Sequence, residues 1–120
     1  MRKIANLRTE RHRVRRCMLF SSASEVLLFT YSSLEDWSCD ADTWFESVED
    51  AEAYCREELG VRDEDWTTLG DAPPGCQDDW IAPVRVPGSD AGEPQWGRLE
   101  RLGEDGVWRA VAPNAVEDAD

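Results

Sequence analysis

One histidine, four cysteines and 26 acidic residues are the groups from which this 120-residue chain could build a reactive site. Nucleophilic catalysis by serine or cysteine needs a base held against the nucleophile. The only histidine, His12, sits inside an arginine-rich opening where nothing in the local pattern fixes its geometry. Cys17, Cys39, Cys55 and Cys76 contain no C-x-x-C knuckle, so no structural zinc site is expected. Calcium needs oxygen ligands at alternating positions around a glycine turn, and neither Asp36, Asp40 and Asp42 nor Asp63 and Asp65 have that glycine. Glycine-rich phosphate loops are absent, and a glycosidase-like carboxylate pair needs a cleft that so small a domain seldom builds. The expectation is a chain that works without catalytic residues, metal or cofactor.

Two loops concentrate the groups that remain. Pro73-Pro74-Gly75-Cys76 is a rigid turn leading into Gln77, Asp78, Asp79 and Trp80, an amide, two carboxylates and an indole presented together. Rigid loops with an aromatic anchor suit recognition, because little entropy is lost on binding. The competing reading makes Trp80 the start of a strand and part of the core. In the other loop, Trp37 and Asp40, further candidates for partner binding, flank Cys39. Cys39 and Cys76 are a candidate disulfide or redox pair, although negative neighbours raise a thiol's pKa and slow its reactions. Cys55 reads as a small core residue and Cys17 as incidental.

Charge is uneven along the chain, whose formal net charge is −13. Arg2, Lys3, Arg8, Arg11, Arg13, Arg15 and Arg16 stand against Glu10 alone, which makes the remainder more acidic than the total implies. An acidic body is repelled by phosphate backbones and anionic membranes, so direct nucleic-acid binding by it is not expected. No apolar run approaches a spanning helix, and Ser21, Ser22, Ser24 and Glu25 interrupt any signal-peptide core after the basic start. Twelve arginines against the single Lys3 suggest a GC-rich bacterial coding sequence, and a cytoplasmic location with reduced thiols follows as the default expectation.

The elements that must position these groups follow from pattern. Residues 1–17 are read as a basic, flexible N-terminal extension, 18–116 as a single α+β domain, and 117–120 as a frayed acidic tail. Glu25 to Tyr31 is a strand apolar on both faces, and Ser32 to Asp42 a polar connection. A helix runs from about Ser47 to Leu59, with Ser47 as N-cap, Gly60 as the left-handed stop, and Val48, Ala51, Cys55 and Leu59 on one face. Trp66 to Leu69 reads as a short strand, Gly70 to Gly75 as a loop, and Trp80 to Val86 as an extended stretch pushed toward an edge by Pro83 and Pro87. Asp90 to Pro94 is a turn before a hairpin of Gln95 to Leu102 and Val107 to Val111. The predicted fold is one main helix on a mostly antiparallel sheet of about four to five strands, in the order β-α-β-β-β(β).

Smallness, acidity and missing catalytic residues together suggest a non-enzymatic interaction protein of the immunity-protein or inhibitor type, binding a basic protein. Two alternatives stand beside it. A DNA mimic would carry carboxylates spaced like phosphates on one face, and a small enzyme or ligand binder would hold inward carboxylates in a pocket.

Overall fold

The computed structural model describes residues 1–88, 92–93 and 95–111. In chain order the elements are β1 (Arg2–Arg11), β2 (Val14–Ser21), β3 (Val26–Tyr31), β4 (Ala41–Phe45), α1 (Val48–Glu58), a 3-10 turn (Asp63–Asp65), β5 (Thr67–Leu69), β6 (Val84–Arg85), β7 (Glu100–Leu102) and β8 (Trp108–Ala110). The result is a small α+β fold with one helix, a five-stranded antiparallel sheet ordered β4-β3-β2-β1-β5 and a three-stranded sheet ordered β6-β7-β8. Four strands precede the helix where one was expected, and the strands divide between two sheets. The chain separates into two compact units, Met1–Asp71 and Ala72–Asp120, at the proline-containing stretch read as a loop. Residues 117–120, and Asp90, Ala91 and Pro94 of the expected turn, lie outside the described residues. Among the described residues no helix is long and apolar enough to cross a membrane.

The largest departure from expectation is at the start. Residues 1–17, expected as a flexible extension, form β1 and the first part of β2, and β1 lies between β2 and β5. Ala5 and Cys17 face each other in the register and are both buried. Three of the cations that suggest a tail are fastened to the rest of the unit. Arg2 is 4% exposed and its Nε donates to the Gly70 carbonyl at 2.9 Å. Arg8 grips the Asp65 carboxylate through Nη2 at 2.7 Å, and Lys3 pairs with Glu52. His12 (φ 53°) and Arg13 (φ 65°) make the two-residue turn with both residues left-handed, the geometry that matches the twist of a tight hairpin.

Helix α1 follows its sequence signals closely. Ser47 Oγ accepts the Asp50 N–H at 3.0 Å, and Gly60 (φ 70°) lets the Val61 N–H return to the Cys55 carbonyl at 3.0 Å. Its inner face brings Ala51, Cys55 and Leu59 onto Ala5, Cys17, Leu19 and Leu28, with Val61 completing the cluster. The other face of the sheet gathers Met18, Phe29 and Tyr31, flanked by Ile4, Phe20, Leu27 and Leu69. Strand β3 therefore buries both of its faces, as its uniform apolarity requires.

Strand β4 begins inside the segment read as a connection. Asp40 closes the loop that precedes it, its carboxylate accepting the Ser32 N–H while its own N–H donates to Thr30. In the second unit β6 is an edge strand, in keeping with the prolines on either side. The β7–β8 hairpin forms as expected with shorter strands, pairing Leu102 with Trp108. Asp105 in its loop accepts from Arg109 Nη2 at 2.7 Å and from the Val107 N–H at 3.1 Å, and the Arg109 guanidinium holds its carboxyl below the usual range.

Candidate functional site

The residues singled out by sequence fall into both units. Gln77, Asp78, Asp79, Trp80 and Cys76 belong to Ala72–Asp120, whereas Trp37, Cys39 and Asp40 belong to Met1–Asp71. The turn at Gly75 (φ 82°) folds back on β6: the Cys76 N–H donates to Pro73, and the Gln77 N–H reaches the Val84 carbonyl at 2.7 Å. Trp80 is 2% exposed, with the Arg101 guanidinium 5.3 Å from the ring centroid. It is core, as the competing reading had it, and the indole is not a surface anchor. Asp78 is exposed and Asp79 half-buried.

All four cysteines are free thiols. Cys39 packs against the Met18, Phe29 and Tyr31 cluster in the first unit. Burial, rather than acidic neighbours, pushes the Cys76 thiol up in the second, and Arg85 partly offsets it. Within the first unit Cys17 and Cys55 meet, both fully buried between β2 and α1. The hydrogen bond from one thiol to the other, and then desolvation, push Cys17 far up and leave it inert as a nucleophile. Cys17 is thus a core residue rather than an incidental one.

Among the described residues no three His, Cys, Asp or Glu side chains converge as metal ligands. His12 is exposed on its turn, with Nε2 3.7 Å from Glu58. Asp65 is committed to structure: the Arg8 guanidinium, and then the Arg62 N–H at 2.9 Å, hold its carboxyl below the usual range.

What the first unit does present is a sheet with charge sorted across it. No lysine or arginine occurs from Cys17 to Cys55, whereas β1, the β1–β2 turn and the start of β2 carry seven cations. Strand β4, at the far edge, is exposed at its first four residues and has Trp44 61% exposed. Asp40, Asp42 and Glu46, then Glu49 and Asp50 in the first turn of α1, are all exposed on this short stretch of chain. Trp44 escaped sequence reasoning because no periodicity marks residues 41–45. The usable signal was the long gap in basic residues around an indole. Comparison with known proteins returns no matching family model, no similar curated protein and no similar solved structure.

Proposed function

We propose that this chain is a small non-enzymatic interaction protein, of the immunity-protein or inhibitor type, that binds a basic protein partner in the bacterial cytoplasm. The observation that carries the reading is the stretch of chain from Cys17 to Cys55, which is rich in exposed carboxylates, holds no lysine or arginine and carries the exposed Trp44. Such a region raises the association rate of a basic partner, and an aromatic within it slows dissociation. The DNA-mimic alternative is less well supported, since Arg8, Arg11, Arg13 and Arg15 stand exposed on the same unit and interrupt an acidic surface.

The test is capture from a lysate at low salt with elution by a salt gradient, comparing the parent with a variant carrying Asp42→Asn, Glu46→Gln and Glu49→Gln. The expected catch is a basic protein that leaves early in the gradient and is lost from the variant. Capture of neutral or acidic proteins, or capture unaffected by neutralisation, refutes the reading.

A further inference from the structure

An antiparallel ladder determines which backbone groups of its outermost strand face outward. The Ser22 N–H donates to Glu25 at 2.9 Å across the β2–β3 turn, which makes these two a hydrogen-bonded pair. Every second pair repeats the pattern, so Leu27 and Phe29 turn their backbone groups toward β2, while Val26, Leu28 and Thr30 turn theirs toward β4. Those three meet Phe45, Thr43 and Ala41. The N–H and C=O groups of Asp42 and Trp44 are thereby left on the outer edge, where β4 has no partner strand among the described residues. Their side chains share the face away from α1, Asp42 beside Phe29 and Trp44 beside Leu27. One short strand presents open backbone donors and acceptors, an indole and a carboxylate on the same side.

We infer that the β4 edge takes an extended, basic segment of a partner protein by strand addition, with a cation opposite Asp42 and a second against the Trp44 ring. The inference rests on the proposed basic-partner function and names the place and mode of contact. Charge complementarity selects the occupant. Asp42 lies on the strand itself, and Asp40, Glu46, Glu49 and Asp50, next to it along the chain, are exposed within a stretch that has no basic residue from Cys17 to Cys55. Alternate residues of an added strand share a face, so a segment with arginine or lysine at every second position sets its cations on the Asp42 and Trp44 side. There the first forms a cross-strand ion pair and the second a cation–π contact. A second copy of this chain is a poor occupant, because antiparallel pairing of two β4 edges sets Asp42 and Glu46 of one copy among those of the other. Like charges across strands are destabilising and are a common device against edge-to-edge association.

The experiment titrates the full chain at low ionic strength with a peptide alternating arginine and valine. A peptide of identical sequence, N-methylated at alternate amides along the edge that would pair, serves as comparison. The parent peptide is expected to bind and to shift the amide resonances of Asp42 and Trp44. N-methylation and Trp44→Ala are each expected to weaken binding by about tenfold or more. Trp44 is 61% exposed, so its removal leaves the core intact, which thermal melting of the variant checks. If the parent peptide binds while the N-methylated one binds as tightly, or Trp44→Ala has no effect, strand addition falls and the basic-partner reading stands. Absence of binding by the parent peptide overturns both. Concentration-dependent dimerisation through β4 overturns the assignment of the occupant.

Discussion

Deletion of residues 1–17 should abolish cooperative unfolding of the Met1–Asp71 unit. The deletion takes Ala5 and Cys17 out of the cluster beneath α1, together with Leu7 and Val14 packed against it. Full burial of a methyl-sized group contributes about 0.8 kcal/mol and of a valine or leucine about 1.5–3 kcal/mol, so two small buried residues and two half-buried larger ones amount to about 4 kcal/mol. It also takes away β1, with which β5 pairs, and leaves β2 paired on one side alone among the described strands. Each lost ladder bond subtracts roughly 1 kcal/mol net. A domain's whole stability is about 5–15 kcal/mol, so nothing is left to hold the unit folded. Thermal melts followed by far-ultraviolet circular dichroism and tryptophan emission read the outcome. A sigmoidal melt within a few degrees of the full chain's Tm would show that β1 is not part of the sheet. The substitution Ala5→Asp in the full chain provides an independent route, because it sets a carboxylate against the buried Cys17 and Leu19 cluster and should lower the Tm steeply.

Ser47→Ala should cost about 1 kcal/mol through loss of the cap on Asp50, and Leu59→Ala about 2–5 kcal/mol through a cavity under α1, both measured by urea unfolding. Equal effects would contradict the assigned buried face. The Asp65 carboxyl is held low by Arg8, so its contribution to stability is complete above the ordinary value of about 3.9 and is lost as pH falls through the lowered folded value. Asp65→Asn should therefore be less stable than the parent at neutral pH and converge with it in acid, and a pH-independent gap would exclude the ion pair as the cause. Trp80→Ala should destabilise the second unit by about 3–5 kcal/mol, whereas Asp78→Asn with Asp79→Asn should change stability far less. Alkylation of the native chain, read by mass spectrometry, should modify Cys39 and Cys76 well before Cys17 and Cys55.

Helix α1 was legible because its cap, stop and apolar face are all local, written between Ser47 and Gly60. Strand β3 and the β7–β8 hairpin were legible for the same reason, through an uninterrupted apolar run and a glycine-bounded loop. Strand β1 was not, since few of its residues are apolar and its arginines find their partners far along the chain, Arg8 at Asp65 and Arg2 at Gly70. A window that moves along the sequence meets only the unpaired charges. Strand β4 was hidden by the polarity common to exposed edges, which made its first residues look like connection. The rigidity of the loop at Gly75 is written in Pro73, Pro74 and Gly75, but composition does not decide whether the Trp80 indole lies inside or outside.

Strand β5, only three residues long, determines when the first unit can finish folding. β1 through β4 form a meander in which each strand pairs with the next, so these contacts are local and form early. On its outer side β1 pairs, among the described strands, with Thr67–Leu69, which is synthesised much later and closes on Arg2, Lys3 and Ile4. During that interval the nascent chain carries an open interior strand, a setting in which neighbouring polypeptides aggregate. Arg2 and Arg8 charge that edge until Gly70 and Asp65 follow to engage them, and charged side chains on an open edge disfavour pairing with other chains.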